Sequence, residues 1–122
     1  MKKILIIEDE EILLELLAKK LDQEGYKVLT ATDGEKGLEK LKKEKPDLVL
    51  LDIVMPKMGG FEVMAKIQED KELSKIPVIV ISNSGQPVEI KRIQELGVKD
   101  WLIKTEFDPQ EVIDKVAKQI GK

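Results

Sequence analysis

Short apolar runs and longer amphipathic stretches alternate five times along the chain. The runs are ILII (4–7), VLTA (28–31), LVLL (48–51), VIVI (78–81) and WLI (101–103). They are aliphatic or β-branched and do not alternate with polar residues, the pattern of strands buried on both faces. Between them the apolar residues fall at helical spacing. Leu13, Leu16, Leu17 and Leu21 define a first helix that stops at Gly25, a residue suited to the position just past a helix end. A second follows Thr32-Asp33-Gly34, turns Leu38 and Leu41 inward and ends before Pro46. A third starts near Gly60, with Phe61, Met64, Ala65 and Ile67 as its apolar set. A fourth opens at Pro87, a favoured first helical position, and closes at Gly97. A fifth runs from Asp108-Pro109 with Val112, Ile113, Val116, Ala117 and Ile120 on one face.

A (βα)5 string of this kind predicts one parallel sheet covered by helices on both faces. Five strands are too few for the eight-stranded barrel, so an open, doubly wound α/β sheet is expected. The 122 residues fit a single domain spanning 1–122, with no linker, low-complexity tract or repeat.

Composition narrows the function. The chain is 42% hydrophobic, enough for a packed core, and 37% charged, mostly Glu and Lys, which implies a soluble, salt-bridged surface. The net charge is -3 with the signs interspersed. Without a basic block no direct nucleic-acid contact is expected. Without a basic amphipathic helix or an apolar stretch of transmembrane length, neither is membrane insertion, and the expected location is the cytoplasm. Cysteine and histidine are both absent. That excludes disulfides, thiolate or imidazole metal ligands, histidine-based triads and a phosphohistidine formed on this chain.

In open α/β sheets the site lies beyond the carboxyl ends of the strands, where the winding reverses. Glu8 and Asp9 follow the first strand, Asp52 the third, Ser82 the fourth and Lys104 the fifth. Thr32-Asp33, after the second, reads as a helix cap. If the first and third strands are neighbours, three carboxylates share one pocket. Their repulsion is relieved by raised pKa values or by a divalent cation. With only oxygen donors on offer, Mg2+, Mn2+ or Ca2+ suits them. A phosphoryl group needs cations and hydrogen-bond donors around its oxygens, and Lys104 and Ser82 provide one of each. A carboxylate can attack phosphorus to form an aspartyl phosphate, and Asp52, ending the central strand, is the best candidate.

Each residue alone has a plainer reading. Residues 8–11 could be an acidic first turn, Asp52 a turn residue, Lys104 a solvated lysine, Ser82 a cap and Trp101 a packing residue. Their joint placement at successive strand ends outweighs these readings.

The sequence resembles the receiver domain of two-component response regulators, in its stand-alone, chemotaxis-regulator-like form, over essentially the whole chain. The resemblance is carried by ILIIEDE for the acidic pair, LVLLDIVMPKMGGFEV around the acceptor, PVIVIS for the switch hydroxyl and DWLIK for the lysine. It implies a flavodoxin-like strand order 2-1-3-4-5. It implies a signalling phosphoacceptor in a phosphorelay, not a conventional enzyme, that assists its own phosphorylation and dephosphorylation. Asp52 would take a phosphoryl group from a phosphohistidine on a sensor histidine kinase or phosphotransfer protein, assisted by Lys104 and Ser82. Mg2+, with Mn2+ as an alternative, would be held by Asp9, Asp52, the backbone carbonyl of Val54 and, through water, Glu8. Ser82 would turn inward on phosphorylation and Trp101 would change rotamer with it. The output surface for a downstream partner or a homodimer would be the face of the fourth helix, fifth strand and fifth helix.

The chain departs from the family in its lysine loop. Thr105 stands where a proline, usually preceded by a cis bond, is common. A cis bond before Thr would cost about 2.5–4 kcal/mol, so a trans bond is expected. Asn83 is larger than the usual small residue and narrows access to the site. Val54 and Ser84 occupy positions that commonly tune hydrolysis, and an apolar Val54 implies a slowly decaying phosphoryl group. Two other functions compete. A pseudo-receiver would keep the fold but bind partners without phosphorylation. A flavodoxin-like FMN protein would need more aromatic residues than the 3% present and a phosphate-binding glycine loop after the first strand.

Overall fold

The structure is a computed structural model that describes residues 1–55, 57–82, 85–98 and 100–121. Asn83 and Ser84, the residues expected to bear on access and hydrolysis, lie outside the described residues. Five strands, β1 (Lys3–Ile7), β2 (Lys27–Ala31), β3 (Leu48–Asp52), β4 (Val78–Ser82) and β5 (Asp100–Ile103), form one parallel sheet in the order β2-β1-β3-β4-β5. Five helices connect and follow them: α1 (Glu11–Gln23), α2 (Gly34–Glu44), α3 (Gly60–Glu69), α4 (Pro87–Glu95) and α5 (Pro109–Ile120). A 3-10 turn at Leu73–Lys75, which the apolar pattern does not mark, leads into β4.

Strand alternation sorts the core into two layers. Ile4, Ile6, Leu48, Leu50, Ile79, Ile81 and Leu102 face α1 and α5, meeting Leu17, Leu21, Val112 and Val116. Leu5, Ile7, Val49, Leu51 and Val80 face the other way, onto Leu41, Val63, Met64, Ile67 and Ile93 of α2, α3 and α4. The two central strands, β1 and β3, and their neighbour β4 are buried on both faces as expected. The edge strands are not. In β2 only Ala31 is buried, and in β5 only Leu102, because a strand with one neighbour is incompletely covered.

The helix faces need two corrections. In α1 the inward set is Leu14, Leu17 and Leu21, whereas Leu16 is 41% exposed. The run ILLELL offers two nearly equivalent helical stripes, and only docking on the sheet chooses between them. In α3 Val63 is buried and Ala65 exposed, for the same reason. Helix starts follow the sequence. Asp33 caps α2 by accepting the Lys36 N–H at 2.8 Å, and Asp108 caps α5 by accepting the Glu111 N–H at 3.0 Å. Among the described residues no helix is long and apolar enough to cross a membrane.

Candidate phosphoacceptor site

The winding reverses between β1 and β3, and the candidate residues gather beyond their carboxyl ends. The register Ile7↔Leu51 sets Glu8 beside Asp52 one step further on. Glu8, Asp9 and Asp52 each present a carboxylate oxygen, and the three atoms lie within 4.8 Å of one another. Glu8 and Asp52 are fully buried. Glu8 Oε2 accepts the Glu10 N–H at 3.0 Å, and Asp52 Oδ1 accepts the Val54 N–H at 3.3 Å. Glu8 Oε1, equally buried, has no hydrogen-bond partner among the described residues.

Lys104 closes the pocket from β5. Its backbone N–H donates to the Ser82 carbonyl at 2.8 Å, continuing the ladder one step past the strand. Its Nζ lies 3.3 Å from Asp52 Oδ2, 3.5 Å from Glu8 Oε2 and 3.1 Å from Glu10 Oε2. Lys104 therefore reaches Asp52 despite Thr105, with no cis peptide bond among the described residues. The turn that carries it is closed by the Glu106 and Phe107 N–H groups donating to the Ile103 carbonyl at 2.9 and 3.1 Å.

Crowding acids away from water has the expected electrostatic result. Burial pushes Glu8 up to about 8, helped by the neighbouring Asp52 carboxylate. Burial also raises Asp52 above the usual carboxylate range, while the Glu8 carboxyl and the Lys104 ammonium pull it back. Burial works to lower Lys104, but the Glu10, Asp52 and Glu8 carboxylates outweigh it and hold the ammonium above the ordinary lysine range.

Three carboxylates facing one ammonium leave the pocket with an excess of negative charge. The buried Glu8 Oε1 without a donor and an all-oxygen ligand set fit a hard divalent cation.

The other sequence candidates take definite places. Ser82, fully buried, ends β4, one position beyond the register pair Asp52↔Ile81. Its hydroxyl donates to Glu89 on α4 and accepts the Gly85 N–H at 3.2 Å. Val54, two residues beyond Asp52, is 58% exposed. Trp101 is half-buried on β5 and packs against the layer beneath α4.

Two residues escaped sequence reasoning. Glu10 occupies the N-cap position of α1 but makes no cap bond; its carboxylate goes to Lys104. Its position inside the acidic run was the only available signal. Glu89 carried none, because its pairing with Ser82 depends on how α4 returns over β4.

The family profile described as the response regulator receiver domain matches residues 4–117. The chain belongs to that family. This receiver domain is 38% identical over 115 residues to the alkaline phosphatase synthesis transcriptional regulatory protein PhoP of Bacillus subtilis, covering 94% of the chain but 47% of PhoP. It is 36% identical over 104 residues to Protein PilH of Pseudomonas aeruginosa, covering 85% of the chain and 86% of PilH. The chain thus spans about half the length of curated relatives such as PhoP. The solved structure of Vibrio cholerae chemotaxis protein CheY4 superposes with a TM-score of 0.91 at 26% identity, over 98% of this chain and 99% of that one. The five-strand order expected from the resemblance is the order observed.

Proposed function

We propose that this receiver domain is switched by phosphorylation of Asp52. The observation that carries the reading is the buried Asp52 carboxylate at the end of the central strand, 3.3 Å from Lys104 and within the Glu8–Asp9 acid cluster.

The donor is a phosphohistidine on a sensor kinase or phosphotransfer protein. An Asp52 oxygen attacks phosphorus, the phosphorus–nitrogen bond breaks, and the imidazole leaves with a proton. Burial raises the energy of the Asp52 carboxylate and so favours its attack. Lys104, already aimed at Asp52, pairs with one oxygen of the incoming phosphoryl group, and the Ser82 hydroxyl can serve another after leaving Glu89. Asp9, Asp52 and Glu8, with the Val54 carbonyl, are the residues that would hold Mg2+ or Mn2+, which supplies charge neutralisation when bound. The face of α4, β5 and α5, which includes Val88 at 75% exposure, is the proposed contact with a downstream protein or a second copy.

The test is intact mass after incubation with acetyl phosphate, with and without Mg2+, on wild type and Asp52→Ala. A single phosphoryl adduct that needs the cation and disappears in the variant is expected. No adduct on wild type under any condition leaves the phosphorylation-independent binding module as the function.

Val54 offers only an apolar side chain to water approaching the phosphoryl group. Val54→Asn, which can orient that water, is expected to shorten the phosphoryl lifetime by a factor on the order of 10. An unchanged decay rate removes Val54 from the account.

A further inference from the structure

The Ser82 hydroxyl has one hydrogen, and it is committed away from the acceptor. It points to Glu89 in the first turn of α4, while the oxygen takes the Gly85 N–H at 3.2 Å. Neither bond goes to Asp52, although Ser82 sits one position beyond the register partner of Asp52. Ser82 is fully buried, so water does not substitute freely for either partner. The hydrogen bond to a carboxylate is charge-assisted and among the stronger kinds a hydroxyl makes.

We propose that Glu89 is a positioning residue: it latches Ser82 in the resting arrangement, and its release carries the state of Asp52 into α4. The inference rests on the phosphoacceptor reading of the pocket. A phosphoryl group on Asp52 brings three terminal oxygens, sharing about two negative charges, near Ser82 and competes with Glu89 for its single hydrogen. It also adds negative charge near the Glu89 carboxylate, which repels it. Donation to phosphate and donation to Glu89 exclude each other. When Ser82 turns, α4 loses a side-chain tie to the sheet near its first turn.

The tie is well placed to matter. Gly85, at φ +68, brings the loop so close to β5 that an added Cβ would meet Ile103 Cδ1 at 2.7 Å. The loop end is therefore held by packing, whereas α4 itself presents a single fully buried residue, Ile93, to the core. A helix with so little buried surface depends more heavily on individual polar ties.

The test is a double-mutant cycle on wild type, Glu89→Ala, Ser82→Ala and the pair, with two readouts. The first is the affinity for beryllium fluoride, a phosphoryl mimic, in the presence of Mg2+. Glu89→Ala is expected to tighten binding about tenfold, the scale of one charge-assisted hydrogen bond no longer competing, and to have no effect once Ser82 is Ala. Glu89→Gln, which keeps an acceptor oxygen, is expected to fall between. The second readout is amide hydrogen exchange in the first turn of α4 without any ligand. Each single variant is expected to speed exchange, and the pair no more than either.

An equal tightening with and without Ser82, or Glu89→Gln matching Glu89→Ala, assigns the effect to charge alone and overturns the latch. So does additive exchange. If beryllium fluoride binds none of the four proteins, the phosphoacceptor reading falls, and the ligand-free exchange cycle still decides whether Glu89 and Ser82 act as one unit.

Discussion

In metal-free buffer, Glu8→Gln is expected to stabilise the protein at pH 8 and above while leaving it little changed near pH 4. The cause is burial: the Glu8 carboxyl is fully buried beside the Asp52 carboxylate, which pushes its pKa up to about 8 from an ordinary value of 4.5. The folded chain therefore keeps a proton that the unfolded chain releases. Stability contributed by that proton is complete below pH 4.5, falls as pH rises toward 8, and is gone above it. Each pH unit between those two values is worth about 1.4 kcal/mol, so the loss is on the order of 5 kcal/mol at most, with the attraction of Lys104 already reflected in the raised value. An amide is neutral at every pH and escapes this loss. Denaturant midpoints of the two proteins across this range check the expectation. Superimposable pH profiles would show that Glu8 is not the strained group. A divalent cation that binds only the folded protein works in the opposite direction, so Mg2+ should raise the wild-type midpoint at pH 8 and shrink the advantage of Glu8→Gln.

Gly60→Ala is expected to cost about 3 kcal/mol or more and to weaken phosphoryl uptake with it. A Cβ built on Gly60 would lie 2.5 Å from the Asp52 carbonyl oxygen and 2.6 Å from the Ile53 Cα. Both are backbone atoms of the chain leaving β3, and neither can swing aside as a side-chain tip could. The same close approach lets the Gly60 N–H donate to the Ile53 carbonyl at 2.8 Å. Relief requires moving α3 or the acceptor strand end, and the second displaces Asp52 from Lys104. Gly25→Ala is the control: its φ of +97 carries backbone strain, but no atom of the described residues lies within 4 Å of the new Cβ. Its cost should be about 1–2 kcal/mol, with uptake unaffected. Gly60 is not among the positive-φ glycines, so a loss no larger than that of Gly25→Ala would mean that small shifts relieve the contact with the end of β3.

The candidate pocket was legible because its residues sit immediately after strands whose apolar runs are unmistakable. Once 4–7, 48–51, 78–81 and 101–103 are parallel strands, Glu8, Asp52, Ser82 and Lys104 must collect at one edge of the sheet. Lys104 reaches Asp52 through a trans loop carrying Thr105, an arrangement that the backbone cost of a cis bond before Thr had anticipated. What could not be read was how side chains divide their bonds once there. Glu10 looked like one acid in a first turn, and it is instead a partner of Lys104. Glu89 carried no signal in the sequence, and it holds the Ser82 hydroxyl.

Periodicity and local hydrogen bonding act over a few residues, and they suffice for the five-fold alternation, the caps at Asp33 and Asp108, and the set of residues at the strand ends. Tertiary structure alone decided which stripe of α1 faces the sheet, that β2 and β5 stay half-covered, and which acid each hydroxyl and ammonium serves. Those outcomes depend on contacts between residues as far apart as Glu8 and Lys104, whose distance in space is set only when the strands have taken their order.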